Sequence, residues 1–176
     1  MRTHEASRLK GTIVITRQEG TMVGALHDVL LAPETCHLVA ISVTHEILGG
    51  EQFVPAGEVE FLGRDAVLIR SEGSLVDDRT DLPDPGVRIQ TLLLGKPVVT
   101  DDGRELGRIY DLALKGSRHL VGAVYLDEER ELPVIPAELS IEPEQVRVPP
   151  RYADRVTVAG APADFWFGSG ASPAPH

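Results

Sequence analysis

Laid over itself, the sequence contains one pattern twice. Leu9-Lys10-Gly11-Thr12-Ile13-Val14-Ile15-Thr16 returns as Leu93-Leu94-Gly95-Lys96-Pro97-Val98-Val99-Thr100. An acidic glycine turn follows each, Gln18-Glu19-Gly20 and then Asp101-Asp102-Gly103. Val23-Gly24-Ala25-Leu26-His27-Asp28-Val29 is answered by Leu106-Gly107-Arg108-Ile109-Tyr110-Asp111-Leu112. His37-Leu38-Val39-Ala40 pairs with His119-Leu120-Val121-Gly122, and Phe53-Val54-Pro55-Ala56 with Val134-Ile135-Pro136-Ala137. Each copy closes on a short apolar run, Ala66–Ile69 or Gln145–Val148. Any single match is within chance; the shared order is not.

Both copies read as strands. Short Val, Ile and Leu runs are separated by glycine turns, the pattern of a small barrel or sandwich. Gly20 and Gly103 fall where a tight hairpin needs positive φ, which only glycine adopts without steric cost. Pro55 and Pro136 follow apolar pairs, so they belong at strand ends, where a missing N–H breaks no ladder. One turn of helix is expected just after each proline. Five short strands per copy close best as a barrel, because closure removes exposed edges. The expected architecture is therefore all-β, with two tandem small barrels related by internal pseudo-symmetry.

On this reading residues 1–73 are the first repeat and 92–150 the second. Residues 74–91, acidic and rich in proline, read as a linker. Residues 151–176 read as a tail, largely disordered because its Gly-Ser-Ala-Pro end has little apolar surface to offset ordering entropy.

The second copy carries a family resemblance. Leu94-Gly95-Lys96-Pro97-Val98-Val99, Asp102-Gly103-Arg104-Glu105-Leu106-Gly107 and Asp111-Leu112 resemble the opening of a PRC-barrel domain. Pro133-Val134-Ile135-Pro136-Ala137-Glu138 and Val146-Arg147-Val148 resemble its close. The likeness spans roughly Leu92 to Val148, and the first copy shares it more loosely over Leu9 to Arg70. It implies a small β-barrel that serves as an interaction and assembly module in bacterial-type proteins. Relatives include the cytoplasmic domain of photosynthetic reaction-centre H subunits and the C-terminal half of a ribosome-maturation factor. Reaction-centre H subunits carry an N-terminal membrane helix, and the maturation factor places a different domain before its barrel. This sequence shows neither, so the module-level role is what the resemblance carries over.

Composition narrows the partners. The formal net charge is −10, and lysine is scarce. Nucleic-acid binders draw affinity from basic patches, so nucleic acid is disfavoured, as is docking on an anionic membrane. No run approaches the 18 or so apolar residues of a spanning helix. The N-terminal residues lack the apolar core of a signal peptide, and the single cysteine, Cys36, fits a reducing compartment. A cytoplasmic location is expected.

The search for chemistry yields scaffold rather than catalyst. Asp28 and Asp111 sit beside apolar residues, where a carboxylate either moves protons or, the simpler role, binds nearby backbone N–H groups. His37 and His119 have no second ligand at metal-binding spacing. Cys36 and His37 are strand neighbours and point to opposite faces, so they form no dyad. Gly103 and Gly107 precede no helix and make no phosphate cradle. The expectation is therefore no enzyme, no cofactor and no metal. The repeated positions Gly20, Gly24, Asp28, His37, Pro55, Gly103, Gly107, Asp111, His119 and Pro136 are structural.

Phe165-Trp166-Phe167 stands apart. It holds the only tryptophan and two of the four phenylalanines, inside a tail of small residues. Such a cluster either anchors in a pocket of a partner or folds back onto the chain's own barrels. The expected function is a cytoplasmic adaptor or assembly protein that contacts a protein partner or self-associates as a homodimer. The alternatives are a ribosome-assembly or RNA-processing accessory and a reaction-centre H-subunit-like component of an electron-transfer complex. Barrels of about 60 residues bury only about 60% of their unfolded surface, so the two copies are expected to pack together.

Overall fold

Alternation at period two shapes the opening strand of each copy. In β1 (Ile13–Thr16) Val14 and Thr16 are buried while Ile13 faces solvent. This is the computed structural model of the chain; it describes residues 10–45, 49–63, 65–116, 118–127 and 129–158, and the backbone of 165–168. Strands dominate and helices are few and short.

In the first half β1 is followed by β2 (Met22–Leu31), β3 (Leu38–Thr44), β4 (Glu51–Pro55), a 3-10 turn at Ala56–Glu58, β5 (Val59–Leu62) and β6 (Ala66–Ile69). The order across the sheet is β4-β3-β2-β1-β6-β5, antiparallel throughout except for the parallel pair β1 and β6. This sheet curls into a half-barrel. The expected helical turn is present, and it leads into an additional strand, β5.

The second half has β8 (Pro97–Thr100), β9 (Glu105–Arg108), β10 (Asp111–Lys115), β11 (Leu120–Tyr125) and β12 (Arg130–Pro133). A 3-10 turn at Pro136–Glu138, β13 (Ser140–Ile141) and β14 (Val146–Val148) complete it. Here the long second strand is split at Ile109-Tyr110, so one sheet becomes two, β13-β14-β8-β9 and β12-β11-β10. The pairings nonetheless follow the order of the first half. β8 pairs antiparallel with β9 and parallel with β14, β10 with β11, β11 with β12, and β13 with β14.

The segment between the halves is built into the fold despite its linker-like composition. Val76 bridges to Phe53, and Leu82 is buried against Leu30, Val39 and Ala40 on the outer face of the first sheet. β7 (Val87–Arg88) then runs antiparallel to the end of β2, and one helical turn, α1 (Ile89–Leu92), follows. The reason is apolar: β3 is buried along nearly its whole length on both faces, so its outer side needs a cover.

The region after Pro149 is likewise structured in part. A 3-10 stretch at Pro150–Arg155 buries Tyr152, β15 (Thr157–Val158) pairs with β12, and β16 (Phe165–Gly168) pairs with β10. Residues 159–164 and 169–176, the remainder of the expected disordered tail, lie outside the described residues. One continuous apolar cluster joins Val14, Ile41 and Val67 of the first half to Leu112, Val124 and Val148 of the second, through Ile89 and Leu93. The two halves share a core.

Candidate functional site at the junction of the halves

Register fixes which residues correspond. Asp28 lies opposite Ser42, Val29 opposite Ile41 and Leu31 opposite Leu38. In the second half Asp111 lies opposite Tyr125, Leu112 opposite Val124 and Leu114 opposite Val121. Leu38 therefore corresponds to Val121, and Cys36, not His37, corresponds to His119. The backbone agrees, because Cys36 (φ 53°) and His119 (φ 50°) are the two described non-glycine residues with positive φ. The echo His-Leu-Val in the sequence is one residue out of step with the strands.

Other sequence matches keep their register. Gly24 opposes Val14 and Gly107 opposes Val98, each beside a bulge at the same point of the pair. The N–H of Gly20 donates to the carbonyl of Thr16, and that of Gly103 to Thr100. Pro55 caps its 3-10 turn whereas Pro136 is the first residue of its own, and in the sheets Pro55 opposes Ala40 as Pro133 opposes Ala123, so Pro55 and Pro136 are not equivalent positions.

The halves meet where β3 and β11 begin. His37 and Leu120 form an antiparallel bridge. The N–H of Leu38 donates to the carbonyl of His119 at 3.2 Å, and the N–H of Val121 donates to the carbonyl of Cys36 at 3.0 Å. Since Leu38 corresponds to Val121 and Cys36 to His119, each hydrogen bond is the counterpart of the other. Beside this bridge lies a groove of about 410 Å³, lined by His37, Pro55 and Val59 from the first half, Asp84 from the connecting segment, and Arg118 and His119. Both sequence-predicted histidines thus reach one groove. His37 Nδ1 is in contact with the Thr35 hydroxyl. Cys36 is buried, and burial pushes its thiol up to about 11, so it is a poor nucleophile at neutral pH. Among the described residues no three His, Cys, Asp or Glu side chains converge as a metal centre requires.

The aspartates are the second feature. Asp28 and Asp111 are both buried, and each accepts a 2.8 Å hydrogen bond at Oδ1 from the next residue's N–H, Val29 or Leu112. At Asp28 the other oxygen, Oδ2, accepts from Arg88 Nη1 at 3.2 Å. Arg88 also forks onto both oxygens of Glu51 at 2.8 and 2.6 Å. Burial raises the Asp28 carboxyl while Val29 and Arg88 pull it back, and Glu51 is held low chiefly by Arg88. At Asp111 the Oδ2 atom has no hydrogen-bond partner among the described residues. Burial holds its carboxyl well above the usual range, opposed only by the Leu112 N–H.

A third correspondence escaped the sequence reading. Glu58 and Glu138 both end the 3-10 turn. Glu58 accepts from the Ser74 hydroxyl at 2.9 Å and pairs with Arg70; Glu138 accepts from the Tyr152 hydroxyl at 2.5 Å and pairs with Arg151. The signal was present as Glu in both copies, but aligning the prolines moved it out of register. Arg88 and Glu51 left no comparable trace, because their partnership crosses 37 positions.

Phe165-Trp166-Phe167 forms the backbone of β16 on the outer edge of β10, with Phe165 opposite Leu114, Trp166 opposite Ala113, Phe167 opposite Leu112 and Gly168 opposite Asp111. The segment folds back onto its own chain. No helix among the described residues is long and apolar enough to cross a membrane. Compared with known proteins, the chain matches no family model and no curated protein sequence.

Proposed function

We propose that this chain is a non-catalytic adaptor made of two tandem PRC-type barrels related by an internal pseudo-twofold axis, and that it works in assembly through protein–protein contacts in the cytoplasm. The observation that carries the reading is the reciprocal bridge at His37 and Leu120, where corresponding donors and acceptors of the two halves bond each other. That pattern is what a twofold axis between like strands produces. The repeated pairings, bulges and aspartate contacts support it.

An adaptor needs a surface rather than a reaction centre, and the bridge supplies one. The adjoining groove draws its lining from both halves, with Arg118, His37 and His119 set against the apolar Val59 and Pro55. Asp84 lies in the same lining, so the groove holds one fixed cation and one carboxylate and suits a polar segment of a protein partner. The test is affinity purification from cell extract with the intact chain and with a His37→Ala/Arg118→Glu variant of unchanged thermal stability. The reading expects a stoichiometric protein partner that the variant loses by tenfold or more. A chain that captures the same proteins in both forms, or only nucleic acid, contradicts it.

A further inference from the structure

The segments after the two copies correspond to each other. β7 lies along the edge of β2 that β1 leaves free, with Arg88 opposite Leu30 and Val87 opposite Leu31. β16 lies along the matching edge of β10, with Trp166 opposite Ala113 and Phe165 opposite Leu114. Leu30 corresponds to Ala113 and Leu31 to Leu114, so Trp166 holds the register position of Arg88. The bridge of Phe53 to Val76 likewise corresponds to the pairing of β12 with β15.

At the buried aspartate the halves differ in chemistry. The Oδ2 atom of Asp28 receives a guanidinium N–H, while the Oδ2 atom of Asp111, in a fully buried residue, receives nothing among the described residues. Buried carboxyl oxygens are nearly always paired, because leaving one unpaired forfeits the hydration it had in water. β16 has a tryptophan at the register position where β7 has an arginine. β16 is also the outermost strand of its sheet, so it can leave without breaking any other pairing.

We propose that the β10 edge is a binding site for an extended protein segment carrying an arginine, which replaces β16 and places its guanidinium on Asp111. Backbone ladder bonds supply affinity and the buried carboxylate supplies selectivity for the cation, the division of labour seen in strand addition. In the free chain β16 holds the edge as a weaker internal substitute and blocks indiscriminate edge pairing. This inference rests on the equivalence of the halves.

The probe is a synthetic peptide with the sequence of residues 82–91 of this chain, which contains Val87-Arg88, and its Arg88→Gln counterpart. The full-length chain is titrated with each while Trp166, its only tryptophan, reports departure of β16. Saturable change in emission with the arginine peptide, weakened at least tenfold by Arg88→Gln and made indifferent to that change by Asp111→Asn in the chain, supports the proposal. Equal response to both peptides, or none to either, overturns it. A separate pair of melting curves tests the equivalence itself. Trp166→Arg raises the melting temperature in the parent and not beside Asp111→Asn if position 166 answers to 88. If that gain is seen and the peptides fail, the repeat reading stands and the docking proposal falls; if the gain is absent, the equivalence beneath both is wrong.

Discussion

Asp28 and Asp111 occupy matching places and accept matching backbone bonds, yet their electrostatic surroundings differ, and that difference is measurable. The folded Asp111 carboxyl titrates well above its unfolded value of 3.8 because burial penalises the charge. Above pH 3.8 the unfolded chain gives up this proton while the folded chain keeps it, so stability falls as pH rises until the folded pKa is passed. Asp111→Asn removes that dependence. Denaturant unfolding at a series of pH values from 4 upwards is expected to show the variant gaining on the parent with rising pH until the folded Asp111 pKa is passed; parallel curves would place Asp111 in contact with water. Arg88→Met acts in the opposite sense. It leaves the Asp28 carboxylate, 1% exposed, without its cation, and costs about 2–4 kcal/mol at pH 8, since breaking a buried pair strands the remaining charge. The cost shrinks towards pH 5 as Asp28 takes up a proton. A loss that is unchanged over this range would mean that Arg88 serves through packing on Phe53 instead.

At the scale of elements, the glycines separate the demands of turns from those of close packing. Gly20 (φ 70°) sits in open space, so Gly20→Ala costs only the left-handed backbone, about 1 kcal/mol. At Gly24 (φ 154°) a methyl group would lie 2.4 Å from the carbonyl oxygen of Thr44. Gly24→Ala is therefore expected to cost about 2–4 kcal/mol from strain and displaced backbone, read as the shift in the urea midpoint at constant m-value. Equal shifts for the two variants would refute the placement of the bulge. Strand content and turn glycines were legible because they depend on local chemistry: Val, Ile and Leu alternation, and glycine where φ is positive. The true register of His37 was not, since a three-residue echo outweighed a turn whose constraint lies in φ at Cys36. Residues 74–91 connect the two halves and also pack on the first. Their prolines and acids read as a linker, while a few apolar residues, Val76, Leu82 and Val87, decide that the segment packs.

For the whole molecule, the strand-rich fold was legible and its geometry was not. The sequence matches read as two copies, but no pattern of residues tells how the two halves face each other, because the contact between them includes backbone bonds. The sequence also left open whether Phe165-Trp166-Phe167 docks on its own chain; the pairing of β16 with β10 answers that for the backbone. The shared cluster predicts that the halves unfold together, as one transition. The central claim is that they meet face to face about the His37–Leu120 bridge. In a bridge of this type, flanked by its hydrogen bonds rather than closed by them, the Cα atoms lie about 4.5 Å apart, within reach of a disulfide. The decisive measurement is oxidation of the His37→Cys/Leu120→Cys variant at pH 8, read by non-reducing electrophoresis and peptide mass mapping. Cys36, buried and with its thiol raised to about 11, stays out of the exchange. The account predicts rapid, near-complete formation of a bond between positions 37 and 120 within one chain, with the native melting transition retained or raised. A chain that stays reduced, or links only to other chains, would contradict it.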